Sequence, residues 1–235
     1  MRLAALLLLP TFALWGAPHE AAPSEVRDAV ANFRPEGPKG WSFTQTTVAA
    51  GRKLVERYDS ARPEFNRWTL IAEDGKAPTA EEAARYRQKF TRHSQHNGAP
   101  RLNDQIDLTS LRLIDESPER GRYEARLKTT ESGDRTAAFL SAIIVWHKSS
   151  AAIESFTIAS TGPFSPSFGV KIEEMRTTMT YSLPTREAPA LLQTITTRLR
   201  GRAFWVKSLD ADMEVIYSDY VPIRKNTPPR GDQRP

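Results

Sequence analysis

Residues 194–220 read TITTRLRGRAFWVKSLDADMEVIYSDY, and the first part alternates: Ile195, Thr197, Leu199, Gly201, Ala203 and Trp205 fall on one side, Thr196, Arg198, Arg200 and Arg202 on the other. A period of two belongs to a strand with one dry and one wet face, because successive side chains point to opposite faces of a sheet. The same signature recurs along most of the chain. Residues 122–128 carry it most cleanly, with Tyr123, Ala125 and Leu127 opposite Arg122, Glu124, Arg126 and Lys128. Repeated one-sided strands predict an antiparallel sheet covered on one face.

Two β-rich runs, 41–48 and 52–59, flank Ala49-Ala50-Gly51, which has the length and glycine placement of a hairpin. A third run, 67–73, closes on Asp74-Gly75. Further strands are predicted over 110–116, 122–130, 143–147, 153–160, 170–182, 194–207 and 213–220, with a helical turn over 136–142 feeding one of them. Two helices interrupt the pattern. Residues 24–33 put Val26, Val30 and Phe33 on one stripe, with Ser24 as the expected cap. Residues 79–96 begin with Thr79 and Glu82 at capping-box spacing and end before Asn97-Gly98 and Pro100. The expected fold is therefore mainly β (α+β): a curved antiparallel sheet, or open half-barrel, of about ten strands. The N-terminal and inserted helices would pack on its concave face. No repeat or interior linker appears, so residues 23–222 are expected to form a single domain.

The ends set the compartment. Met1-Arg2 followed by an apolar run through Trp15 has the length of a secretory signal and is too short for a membrane span. Residues 1–22 are thus expected to be a cleaved leader and linker, with cleavage after Gly16 favoured, which makes the mature protein periplasmic. The chain has no cysteine, which excludes disulfides, thiol chemistry, Cys-ligated metals and a lipid-modified cysteine anchor. Lys plus Arg number 33 against 28 Asp plus Glu, a net charge of +5. Part of that excess lies in residues 223–235, where Arg224, Lys225, Arg230 and Arg234 sit among prolines, a composition expected to be disordered. The mild charge of an exported chain argues against nucleic acid as a partner, and the mature protein is expected to be a monomer that does not span the membrane.

Nothing in the sequence assembles into a catalytic constellation. His93 and His96 lie three apart, but a metal site needs at least a third ligand and no spacing marks one. His19 lies in the linker and His147 at a strand end. Residues 161–169 hold Gly162, Ser165, Ser167 and Gly169, yet Pro166 beside Ser165 opposes the sharp turn of a nucleophile elbow, so a structured loop is expected there. No catalytic residue, cofactor or metal is assigned. Two features remain as candidate binding surfaces. Arg198, Arg200 and Arg202 would stand about 7 Å apart along one face, where they face either an acidic partner or paired carboxylates of a neighbouring strand such as Glu173 or Glu214. Trp41, Phe43, Trp68, Phe90, Trp146, Phe156, Met179 and Tyr181 supply large apolar side chains, some for the core and some for a groove that would take an acyl chain or apolar peptide.

A chain with an N-terminal helix, a WSFTQT first strand, a long antiparallel meander and an inserted helix resembles the periplasmic lipoprotein-carrier superfamily, LolA, LolB and the RseB-type sensor domain. More narrowly, residues 56–87, 162–181 and 198–220 are similar to segments of bacterial envelope proteins grouped with it. The resemblance is one of architecture, over about a third of the chain, and carries no fixed binding signature. It implies a non-catalytic protein that holds a lipid or the acyl chains of a lipoprotein in the half-barrel groove. The alternative is an envelope sensor or scaffold that binds another protein through a sheet edge or the Arg198–Arg202 face, and an enzyme is the third class.

Overall fold

The computed structural model describes residues 21–35, 40–93, 105–129, 136–204 and 206–223, with side chains throughout except at 89–93. The expected leader, the linker up to residue 20, His19, His96, Trp205 and residues 224–235 of the basic tail lie outside the described residues, as do the side chains of Phe90 and His93.

In chain order the elements are α1 (Ser24–Asn32), β1 (Trp41–Ala49), β2 (Arg52–Tyr58), β3 (Trp68–Glu73), α2 (Ala80–His93), β4 (Arg112–Glu116), β5 (Arg120–Arg126), β6 (Leu140–His147), β7 (Ala152–Ser160), β8 (Val170–Tyr181), β9 (Leu192–Ala203), β10 (Lys207–Ser208) and β11 (Ala211–Pro222). The strands form one antiparallel sheet in the order β3-β2-β1-β11-β9-β8-β7-β6-β5-β4, with β10 paired to β9 alone. This curved sheet does not close: β3 and β4 are its two ends. The chain's first and last long strands meet in its interior, since β1 pairs with β11 from Trp41↔Pro222 to Ala49↔Met213. The β1–β2 hairpin turns through Ala50 and Gly51 at φ 49° and 75°, positive angles at both central positions that match the twist of the flanking strands.

Alternation fixes which face is buried. On one face lie Tyr123, Ile144, Phe156, Met179, Ile195, Val215, Gln45, Glu56 and Leu70, each opposite the next across the ladder or one residue pair away. Both helices sit on this concave face. Val26 and Val30 of α1 are buried in the main core beside Ile106, Leu111, Tyr123, Ile144, Trp146 and Phe156, each fully buried side chain contributing about 1.5–3 kcal/mol. Phe33 extends the seam, its ring 5.0 Å from Tyr181 edge-on and 6.4 Å from Phe156.

The structure amends the expected elements in several places. The described residues form eleven strands, in line with the expected number of about ten, and the differences lie in the details. Pro23, not Ser24, occupies the cap of α1, and no side chain caps that helix; burial of its apolar stripe holds it instead. Within 136–142 only Thr136–Phe139 turn as a 3-10 helix, and β6 already starts at Leu140 because Ser141 and Ala142, small and weakly β-forming, are drawn into register with Arg126 and Ala125. Likewise Leu108–Ser110 form a 3-10 turn, with Asp107 accepting from the Thr109 amide at 3.1 Å, so the next strand begins at Arg112. Residues 194–207 do not form one strand: β9 ends at Ala203 and the chain turns at Phe204, φ 48°, into β10, while the Phe204 amide still donates to the Gly169 carbonyl at 2.6 Å, one pair beyond Val170↔Ala203. The capping box at Thr79 and Glu82 is present. The Glu82 amide donates to Thr79 Oγ1 at 3.3 Å and the Thr79 amide to Glu82 Oε2 at 2.7 Å; that amide, and then the Thr79 hydroxyl at 2.9 Å, hold the Glu82 carboxyl below its usual range.

Candidate functional site

The β1, β2, β3 and β11 end of the concave face is built from strand parity. Phe43, Gln45 and Thr47 point the same way along β1; opposite them on β2 stand Tyr58, Glu56 and Leu54. Trp68 and Leu70 of β3 continue the row beyond Tyr58 and Glu56, and Tyr217 and Val215 of β11 continue it on the other side of Gln45 and Thr47. The upper row is aromatic. The Phe43 ring lies 4.9 Å from Tyr58, 5.8 Å from Trp68, 5.4 Å from Tyr217 and 5.6 Å from Tyr220, and Trp41 meets Tyr220 at 6.3 Å.

Below this shelf the row turns polar at one point. Glu56 is 6 % exposed. Its Oε1 accepts from the Tyr86 hydroxyl of α2 at 2.5 Å and its Oε2 from Gln45 Nε2 at 3.0 Å. A buried carboxylate needs such donors, since desolvation without them costs several kcal/mol. Both donors are neutral. Burial, then the hydrogen bond to Glu56 and its charge, push the Tyr86 phenol far above its ordinary value. Tyr217 is raised by burial and then by the Glu56 charge, and Tyr220 chiefly by burial.

Between the turn end of the β1–β2 hairpin and α2 lies a cleft of about 820 Å³, within the range of small-molecule sites. Leu54, Leu70, Thr47 and Ala49 form its walls, the Glu56–Tyr86 pair its inner end, and Arg52, Lys53, Glu73 and Arg85 stand among its charged lining. Arg52 pairs with Glu73, and Arg85 with Glu81 at 3.1 Å. A smaller hollow of about 410 Å³ adjoins it, lined by Trp68, Leu70, Ala83 and Arg87 among others.

The eight apolar candidates divide between the two ends of the face. Trp146, Phe156 and Tyr181 are buried in the core under α1, with Met179 packed against them. Trp41, Phe43 and Trp68 belong to the aromatic shelf, and the side chain of Phe90 lies outside the described residues. Glu56, Gln45 and Tyr217 are not distinguished in the sequence, where Glu56 reads as one acid of a charged strand. Parity contains the missing signal, for it places Glu56 between Leu54 and Tyr58 on the face that Phe43 shares.

The arginine ladder stands on the opposite, convex face. Arg200 meets Asp212 at 2.7 Å, Arg198 meets the same carboxylate at 3.7 Å, and Arg202 meets Glu173 at 4.0 Å. The hydrogen bond from Arg200 holds the Asp212 carboxyl below its usual range. Asp212 pairs with the ladder, and not Glu214, because the register sets it directly opposite Arg198 whereas Glu214 faces Thr196. His147 ends β6 with Ser149 Oγ 3.5 Å from its Nδ1. Among the described residues no three His, Asp or Glu side chains gather as a metal site, and no helix is long and apolar enough to cross a membrane. No family model matches the chain, and no curated protein or solved structure matches it.

Proposed function

We propose that the protein is a non-catalytic periplasmic binder of an apolar ligand, a lipid or the acyl chains of a lipoprotein, held between the concave face and α2. The cleft under α2 carries this reading: its walls are Leu54, Leu70 and the β1–β2 surface, and Tyr86 of its cover meets the sheet at the Glu56 carboxylate. An open curved sheet with helices on its concave side is also the arrangement that the resemblance to the lipoprotein-carrier superfamily implies. The buried polar pair closes the inner end, so a chain entering between Leu54 and Leu70 meets apolar wall first. Its charged end would remain at the rim beside Lys53.

Lipid mass spectrometry on protein purified without detergent, followed by displacement of a fluorescent fatty-acid probe, tests the reading. A bound lipid and a probe that Leu54→Trp excludes, with the fold intact by circular dichroism, are the expected results. Protein that carries no lipid and binds no probe overturns it.

A further inference from the structure

The β9–β10 reversal lacks the residues that a tight turn selects. Turns at positive φ favour Gly, Asn or Asp; here Phe204 takes φ 48°, an unfavourable conformation for a bulky side chain. Phe204 and Val206 are nevertheless 65 % and 88 % exposed, so burial in the core does not explain their presence. Directly beside them, Phe168 at the end of the β7–β8 loop is 97 % exposed. The two loops form one tip. The Phe204 amide donates to the Gly169 carbonyl, and the Phe204 ring lies so close over Gly169 that a Cβ there would stand 2.9 Å from it. Exposed cations surround the tip: Lys171 and Arg202 pair on the convex face, and Lys207 follows Val206. The neighbouring acids are Glu173, engaged with Arg202 at 4.0 Å, and Asp210, which accepts from the Gly201 amide at 3.1 Å.

We propose that this tip docks the protein onto an anionic bilayer surface, Phe168, Phe204 and Val206 entering the headgroup boundary and Lys171 and Lys207 meeting the lipid phosphates. Protruding side chains select a bilayer over a folded protein. A residue 97 % exposed has no groove around it and needs a complementary pocket in a protein partner, whereas the lipid interface accepts apolar side chains without one. Strain at Phe204 is consistent with selection for contact over turn stability, and the flanking cations match the charge of anionic headgroups.

Co-sedimentation with vesicles of phosphatidylglycerol mixed into phosphatidylcholine tests the proposal. The protein is expected to bind the mixed vesicles several-fold better than pure phosphatidylcholine, with binding weakening as salt rises. Phe168→Ser with Phe204→Asn should lower it about tenfold or more. Its melting temperature should be unchanged or raised, since Asn tolerates positive φ. Lys171→Gln with Lys207→Gln should remove most of the preference for anionic lipid. Leu54→Trp, which fills the cleft, should leave vesicle binding unchanged, which separates surface docking from capture of a lipid in the cleft. Absence of vesicle binding, or binding that survives the Phe168→Ser, Phe204→Asn change, overturns the proposal. Loss of binding in Leu54→Trp alone does so as well.

Discussion

At one end of the concave face α1 presses Val26 and Val30 into a dry core; at the other, α2 reaches the sheet through a phenol and a buried carboxylate. The two helices also start differently. α1 has no side-chain cap and relies on burial, while α2 begins with a complete capping box and presents a charged sequence over the cleft. A helix fixed by dispersion and desolvation cannot leave without exposing the core. A helix set on the sheet's end strand, over an open cleft, can shift while the rest of the sheet stays folded, as the less enclosed regions of native proteins do. The difference gives the α1 end the dry core and the α2 end the open cleft.

Truncation of matched side chains gives the strongest test of that division. Phe156→Ala, at the centre of the α1 core and 1 % exposed, should cost about 3–5 kcal/mol and lower the melting temperature sharply. Leu70→Ala, on the cleft wall, should cost less, because the void it leaves opens into existing space, and should weaken fatty-acid probe binding. Thermal melts and probe titration on both variants check the pair. If Leu70→Ala proves as destabilising as Phe156→Ala, the α2 end is as much a core as the other.

Next in size is the contact between α2 and the sheet. Tyr86→Phe keeps the ring but removes the donor to a buried carboxylate oxygen, a loss of about 1–3 kcal/mol. Hydrogen exchange should quicken across α2 and leave α1 unchanged. The phenol also gives the α2 end an alkaline sensitivity. Its folded value, like those of Tyr217 and Tyr220, is raised above the ordinary one near 10.0. The fold therefore favours the neutral form. The corresponding stability is complete below the unfolded value and is lost as pH rises through the folded ones. Tyrosinate absorbance in an alkaline titration should appear together with unfolding, and Tyr86→Phe should make stability less dependent on pH in that range. Uniform loss of protection in both helices of the variant would erase the contrast between them.

Smaller still is the cap. Thr79→Ala should cost about 0.5–2 kcal/mol and fray the start of α2, while Ser24→Ala in α1 should do almost nothing because Pro23 holds the cap position and Ser24 caps nothing. Amide exchange at the first turn of each helix checks both. Equal effects would mean that the two helix starts are held alike.

Much of this contrast is legible in the amino-acid sequence, and particular residues mark where legibility stops. Local chemistry announces itself: Ala50-Gly51 marks the hairpin, Thr79 and Glu82 mark the start of α2, and alternation marks the strands, because each depends on neighbours in sequence. Glu56 is different. Its environment comes from Gln45 across one ladder and Tyr86 thirty positions along the chain, so nothing local separates it from the exposed acids around it. Phe156 and Phe43 look equivalent as strand aromatics, yet α1 covers one and a ring cluster surrounds the other. The break at Phe204 also escapes a local reading, since alternation continues through it and neither Phe204 nor Val206 is a residue that turns select.

The smallest expected effect lies off the concave face, at the arginine ladder, and it sharpens the comparison by serving as a region outside both ends. Arg198 and Arg202 are exposed and meet their carboxylates at 3.7 and 4.0 Å, geometry at which surface pairs contribute little. Replacing either with Gln should change stability by no more than about 0.5 kcal/mol. Arg200 is held more firmly, since its guanidinium also donates to the Leu199 carbonyl at 2.8 Å and to Asp212 at 2.7 Å, so Arg200→Gln should be the most costly of the three and the most relieved by high salt. Asp212→Asn should couple to Arg198 and Arg200 together because one carboxylate serves both. Denaturant melts of the single and double variants at two salt concentrations measure this. If all three arginines prove equivalent and uncoupled from Asp212, the ladder is a solvated cationic face whose charge is available to an acidic partner, and the envelope-scaffold alternative gains the surface it needs.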